Sequence, residues 1–337
     1  MPFQFLEVQN VHRGRAMFTS TPVPRLIALD WGTSSLRAYL LGDGGALLEQ
    51  SVKPWGIMRT SKRSFAKVFA AMVGEWRRRW PNLPALAAGM IGSAQGWCEA
   101  PYVPCPAGLQ SLAAGLASVT EGGRIQLHIV PGVVEEGAMP DVMRGEETQI
   151  IGAMELDSRL RRRARLVLPG THSKWVELRR ERIQSFSTYM TGELFAVLRD
   201  HSILGRAVPV SATPVASWAA FERGLMAVLE RGTSGGFSRL FSARTLVLRG
   251  RLRPEESLDY LSGLLIGEEL RCATHRCSKR VPLAIVGEDS LSERYRRALA
   301  LFGFGDARII ANASAIGLWR IANASGLVQE TQRRPRS

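Results

Sequence analysis

Four cysteines in 337 residues (Cys98, Cys105, Cys272 and Cys277) are too few and too irregularly spaced for a disulfide framework, so free thiols in a reducing cytoplasm are expected. Cys272 and Cys277, with His275 between them, do not have the spacing of a zinc site. No apolar run approaches the roughly 20 residues that a membrane-spanning helix needs, which argues against a membrane partner. Residues 1–24 carry Arg13 and Arg15 but no apolar stretch of signal-peptide length. They read as a disordered extension, with Met17 as an alternative start. Aromatic residues are missing from the basic runs Arg77-Arg78-Arg79 and Arg161-Arg162-Arg163, and neither run lies in a nucleic-acid-binding module. The formal charge of +14 is therefore read as solvated surface that attracts small anions, and no nucleic-acid partner is expected. A homo-oligomer is compatible with the sequence.

What is present is a soluble chain with 45% hydrophobic and 22% charged residues, long enough for two domains. One local pattern occurs twice. Arg25 to Asp30 is an apolar strand that runs into Trp31-Gly32-Thr33-Ser34-Ser35 and a second strand, Leu36 to Leu41. Arg165 to Pro169 runs in the same way into Gly170-Thr171-His172-Ser173 and the strand Lys174 to Leu178. A single Gly-containing hairpin is ordinary. Two of them, opening two halves of one chain, predict a duplicated α/β fold that holds a polyphosphate from both sides.

The rest of the chain supports two halves. After the first hairpin come a third strand (46–53), a helix (64–80) stopped by Pro81, a buried strand (86–90), a short helix (109–118) and a strand (125–130). The second half repeats the scheme with strands at 165–169, 174–180 and 183–189. Helices are expected at 192–201, 215–231, 254–271, 291–302 and 312–323, with strands at 282–286 and 307–310. A three-stranded meander followed by alternating helix and strand implies mixed sheets. The domains are set at 25–140 and 141–325, with a disordered tail at 326–337.

Asp30 ends an apolar strand at the rim of a sheet, where ligands bind in open α/β sheets. Gly32 lets a phosphate approach the backbone, and Thr33, Ser34 and Ser35 can donate to it. Asp30 would hold Mg²⁺ through water, since Mg²⁺ keeps much of its hydration shell. Gly170 and Thr171 can bind phosphates from the other side. His172 is either a phosphate donor or a polar turn residue. The second turn has Pro169 where the first has its acid, so a catalytic base must come from elsewhere. Glu146 and Glu147, at the start of a helix (146–155) between the two turns, are the best source, although capping of that helix explains them too. Gly89-Met90-Ile91-Gly92-Ser93 and Trp97 can shape a small polar pocket or be an ordinary connection. Gly287 to Ser290 ends a strand and starts a helix, whose N–H groups suit a nucleoside or phosphate contact.

Taken together, residues 25–323 resemble the 2-dehydro-3-deoxygalactonokinases. The resemblance is carried by Ala28 to Ala38, Ala88 to Ser93, Gly96 to Tyr102, Val142 to Gln149, Leu168 to Trp175, Tyr189 to Leu194 and Ser262 to Gly267. It implies two ribonuclease H-like domains of the actin-like ATPase fold with a ligand cleft between them. It also implies an ATP- and Mg²⁺-dependent kinase that phosphorylates the C6 hydroxyl of 2-dehydro-3-deoxy-D-galactonate in cytoplasmic galactonate catabolism. The Gly-Glu-Glu segment is similar to one in exopolyphosphatases of the same superfamily, where the second Glu acts as base; this points to Glu147, with Asp30 as second choice. Arg37 or Arg144 would offset charge on the transferred group or hold the substrate carboxylate. A phosphohydrolase of the exopolyphosphatase type, or a kinase of another keto-deoxy sugar acid, is the alternative.

Overall fold

The computed structural model describes residues 23–60, 65–207, 216–230, 236–275, 277–287 and 290–329. The disorder expected for residues 1–22 and 330–337, and the contacts expected of Glu288 and Asp289, lie outside the described residues. Pro24 opens the first strand, and Gly326 to Gln329 follow the last helix.

The first sheet has the order β3-β2-β1-β4-β8-β7: Leu47–Lys53, Leu36–Gly42, Pro24–Trp31, Ala85–Ala88, Arg124–Ile129 and Ala117–Glu121. β1 is antiparallel to β2 and parallel to β4. The second sheet is built on the same plan. Its order is β15-β14-β11-β12-β13-β6: Arg308–Ile310, Leu283–Val286, Arg163–Leu168, Ser173–Arg179, Arg182–Tyr189 and Ala107–Gly108. β11 is antiparallel to β12 and parallel to β14, as β1 is to β2 and β4. A small third sheet, β10-β9-β5, joins Asp141–Met143, Gly132–Glu135 and Tyr102–Pro104.

The helices are α1 (Phe65–Arg79), α2 (Leu109–Ala114), α3 (Glu146–Leu156), α4 (Thr191–His201), α5 (Trp218–Leu229), α6 (Phe237–Leu240), α7 (Ser242–Leu248), α8 (Ser257–Thr274), α9 (Ser290–Leu301) and α10 (Ala313–Ala324). Both central strands are buried on two faces, which is why they read as continuous apolar runs. Leu26 and Ala28 of β1 face an inner core shared with Leu166 and Leu168 of β11, Ile150 of α3 and Leu318 of α10. Ile27, Leu29 and Trp31 face the opposite core, where α1 buries Phe65, Phe69, Met72, Val73 and Trp76 at helical spacing. Val167 and Ile285 face a third core with Phe221, Ile266 and Tyr295.

Helices α3 and α10 cross between the two sheets at glycines. A Cβ on Gly152 would lie 1.9 Å from Ala313 O, and one on Gly317 would lie 1.9 Å from Thr148 O. The close crossing sets the first turn of α10 beside the end of β1.

Several elements differ from expectation. The helix expected at 109–118 stops at Ala114, since Gly115 ends it, and Ala117–Glu121 instead forms a hairpin with β8. Gly122 and Gly123, at φ 57° and 76°, make that turn. The third sheet and the helices α6 and α7 were not expected; strands of three or four residues carry too little periodicity to be seen. Among the described residues no helix is long and apolar enough to cross a membrane, and Cys98, Cys105, Cys272 and Cys277 are all free.

Candidate active site

Three backbone segments meet at the ends of the two central strands. Gly89, at φ 97°, follows β4, and a Cβ there would lie 2.7 Å from Trp31 O. Gly145, at φ 105°, precedes α3, and its Cβ would lie 3.1 Å from the Gly89 Cα. Glycine is required at both positions, by conformation and by space. This contact fixes the start of α3 against the first turn.

That turn closes with Gly32 N–H donating to Ser35 O at 3.0 Å. Its carbonyls are braced from outside: Ile57, Met58 and Gly56 N–H donate to Gly32, Thr33 and Ser34 O at 3.1, 3.2 and 3.2 Å. The second turn is braced by α4. A Cβ on Gly192 would lie 2.4 Å from Gly170 O, and Glu193 N–H donates to Thr171 O at 3.0 Å. His172 Nε2 contacts Glu193 Oε2 in a short polar pair.

A cleft of 260 Å³ lies between the turns. Asp30, Gly32 and Thr33 line it from the first half, and Gly170, Thr171 and His172 from the second. Gly89, Met90, Arg144, Glu146 and Gln149 complete the wall. Asp30 Oδ2 accepts a hydrogen bond from Ser314 Oγ at 2.9 Å, and Ser314 Oγ in turn receives Gln149 Nε2 at 3.4 Å.

Glu146 Oε2 accepts from Arg144 N–H at 3.0 Å. Burial pushes its carboxyl above the usual range; Lys174 opposes the shift and Asp30 adds to it. Lys174 is buried below and donates to Thr188 Oγ1 at 2.8 Å, while Thr188 is held by Asp141 through N–H and Oγ1, both at 2.7 Å. Glu147 is wholly buried and does not line the cleft. Its Oε2 accepts from Gly145 N–H at 2.6 Å and its Oε1 from Thr148 Oγ1 at 2.9 Å. Burial, and then the charge of Glu146, push its pKa up to about 8.

Arg144 is 9% exposed, stacks 4.3 Å over the Tyr102 ring and donates through Nη2 to Ala100 O at 2.8 Å. Its Nε and Nη1 have no hydrogen-bond partner. Leaving buried N–H groups of a guanidinium without an acceptor is costly.

A second cavity of 460 Å³ opens on the other side of the second turn and shares Gly170 and Thr171 with the cleft. Thr191, Gly192 and Phe195 of α4, Ser262, Leu265 and Ile266 of α8, and Ser290, Leu291 and Tyr295 of α9 form most of its wall. Asp259 and Arg294 pair with each other at its edge.

Other expected site residues stand elsewhere. Arg37 is opposite Asp30 in the β1–β2 register but does not line either cavity. Ser34 and Ser35 lie outside both as well. Ser93 is buried and caps a local turn by donating to Met90 O at 2.8 Å. Trp97 packs edge-on against Phe69 at 5.6 Å. Gly92 leaves room for Arg144, whose Nη1 would be 3.0 Å from a Cβ there. Gly287 N–H donates to Ile310 O at 3.1 Å, while Ser290 does reach the second cavity. Lys174, Gln149 and Ser314 were not singled out from the sequence. Ser314 is 284 residues from Asp30, with no local signal to pair them. Lys174, Gln149, Thr191 and Ser262 lie in segments that carry the family resemblance and were within reach.

Two α/β halves of one plan, each offering a Gly-Thr turn to a shared cleft, are the arrangement of the actin-like ATPase fold. The chain belongs to the 2-keto-3-deoxy-galactonokinase family, whose model matches residues 30–321. It is 36% identical over 304 residues to the 2-dehydro-3-deoxygalactonokinase of Escherichia coli K12, covering 89% of this chain and 98% of that one. It is 35% identical over 300 residues to a protein of Rhizobium meliloti 1021 named for the same activity, covering 88% and 96%. A crystal structure from Sinorhizobium meliloti, assigned to the same activity, superposes with a TM-score of 0.81 at 34% identity, covering 89% of this chain and 98% of that one.

Proposed function

We propose that the protein transfers the γ-phosphoryl group of ATP to the C6 hydroxyl of 2-dehydro-3-deoxy-D-galactonate, giving the 6-phospho derivative in the cytoplasm. The observation that carries this reading is the junction of the two cavities at Gly170 and Thr171. A nucleoside in the larger cavity would pass its phosphates over that turn into the cleft. There Gly32 and Thr33 meet them from the opposite side. The N-terminus of α4, packed on the turn, adds favourable potential for the same charge.

The cleft fits Mg²⁺, which takes one or two carboxylates and completes its shell with water and phosphate oxygens. Asp30 and Glu146 both line the cleft, so Asp30 would hold the ion, with Glu146 near enough to sense its charge. Bound there, the ion would neutralise charge on the β- and γ-phosphates.

Arg144 takes the carboxylate of the sugar acid, since its two unpartnered N–H groups await an acceptor. Glu146 accepts the proton of the attacking hydroxyl. It faces the cleft, and burial raises its pKa above that of an ordinary carboxylate, which makes it a stronger base. Glu147, behind it, keeps the turn in shape. Closure of the two halves, 25–140 and 141–325, would exclude water from the γ-phosphate.

A coupled assay of ADP release, run with and without the keto-deoxy sugar acid, tests the reading. ADP formed only with the acid supports it. Phosphate released without the acid would sink it in favour of a phosphohydrolase.

A further inference from the structure

Glu269 lies on α8, is 3% exposed and does not line either cavity. Among the described residues no cation pairs with it. It is satisfied by neutral donors instead. Trp175 Nε1 donates to Oε1 at 2.7 Å and the Tyr295 hydroxyl to Oε2 at 2.6 Å. The hydroxyls of Thr191 and Ser173 lie near enough to favour its charged form, and Ser173 Oγ lies 2.8 Å from the Tyr295 oxygen.

These four groups, two of them direct donors, come from three separate elements. Thr191 starts α4, Tyr295 is on α9, and Ser173 and Trp175 are on β12. Two of them, Thr191 and Tyr295, are walls of the larger cavity. Ser173 is the first residue of β12 after the Gly170–His172 turn. The carboxylate is therefore the common point to which the nucleoside walls and the end of the phosphate turn are tied. A carboxyl group suits this task because its two oxygens can accept from several donors at once. Burying it without a cation is costly unless those oxygens are hydrogen-bonded.

We propose that Glu269 is a positioning residue for the nucleotide. It holds Thr191 and Tyr295 in register with the Gly170–Thr171 turn, so that nucleoside and phosphates are gripped at the right separation. The inference rests on the larger cavity being the nucleoside site. Glu269→Gln keeps the volume but turns an amide NH₂ toward donors, so at least one hydrogen bond is lost and the walls shift.

The test is steady-state kinetics with both substrates varied, alongside thermal melting, for four variants. Glu269→Gln is expected to raise KM for ATP by about tenfold and to leave KM for the sugar acid within about threefold. Trp175→Phe removes one donor from the same carboxylate without touching the cavity. It is expected to lower Tm while KM for ATP stays within about threefold of the wild type. Should Glu269→Gln not fold, Ser173→Ala gives the same reading, with an expected rise in KM for ATP of at least about threefold. A Glu269→Gln (or, in its place, Ser173→Ala) enzyme that melts lower but has an unchanged KM for ATP would reduce the network to core structure and overturn the proposal. Ser262→Trp, which fills the larger cavity, separates the two levels. If it leaves KM for ATP unchanged, the nucleoside reading fails and the proposal falls with it. If it abolishes ATP use while Glu269→Gln changes nothing, only the positioning role fails.

Discussion

Glu146 and Glu147 are neighbours in the chain and divide the start of α3 between them. Glu146 lines the cleft with one oxygen on Arg144 N–H, whereas Glu147 is wholly buried with both oxygens engaged by Gly145 and Thr148. The consequence for activity is direct. Glu146→Gln is expected to lower kcat about 10²–10⁴-fold with little change in either KM, as loss of a general base does. Glu147→Gln retains an acceptor for the Gly145 N–H and is expected to keep kcat within about tenfold. Single-turnover measurement of phosphoryl transfer in both variants checks this; the reverse ranking would return the base to Glu147.

Glu147 also predicts a pH dependence of stability. Its folded pKa of about 8 lies above the ordinary 4.5. The native state therefore holds a proton that the unfolded chain has released at intermediate pH. Stabilisation from this group is fully present below about pH 4.5 and is lost as pH rises toward 8. The slope is at most about 1.4 kcal/mol per pH unit for one group. Urea unfolding from pH 5 to pH 8 should show a steeper fall for the wild type than for Glu147→Gln, about as far as these pH values permit. Parallel curves would mean that Glu147 is ionised in the native state.

How much of this arrangement the sequence reveals depends on range. The two hairpins were legible because their strands are short apolar runs buried on both faces, each closed by a glycine turn. The expected strands at 165–169 and 174–180 correspond to β11 at Arg163–Leu168 and β12 at Ser173–Arg179. The third sheet was not legible, since its strands are three or four residues long. In the site, the glycine turns are local and could be read. Which of Glu146 and Glu147 faces the cleft could not, because that depends on Gly145 at φ 105° against Gly89, a contact between residues 56 positions apart in the chain. Trp97 shows the converse. Its polar surroundings in the sequence suggest a pocket, yet the ring spends itself on Phe69.

Arg144 provides a test of substrate side. Its Nε and Nη1 lack partners in the protein, while Nη2 holds Ala100 O and the guanidinium plane lies over Tyr102, so replacing it lowers Tm as well as removing the two free N–H groups. Arg144→Met is expected to cost about 2–3 kcal/mol of sugar-acid binding, seen as roughly a 30- to 150-fold rise in KM for the acid. KM for ATP should change far less. Arg144→Lys is not expected to restore binding, since a lysine cannot offer two N–H groups in a plane. An equal rise in both KM values would show that Arg144 serves the phosphates instead.

Gly170 and Gly192 face each other across the second turn, and the reasons for a glycine at each differ. A Cβ on Gly192 would strike Gly170 O at 2.4 Å and Thr171 Cα at 2.8 Å, both backbone atoms that cannot rotate away. Gly192→Ala is therefore expected to destabilise the fold by about 1–3 kcal/mol as α4 is pushed off the turn. A Cβ on Gly170 would meet no protein atom within 4 Å, although Gly170 lines both cavities. Nothing in the protein itself demands glycine there, whereas a phosphate lying against the backbone would. Gly170→Val should thus leave Tm of the free protein nearly unchanged and raise KM for ATP about tenfold or more. Melting curves with and without ADP make the comparison. Stabilisation by ADP should shrink in Gly170→Val, and its persistence at the wild-type level would remove this turn from the nucleotide path.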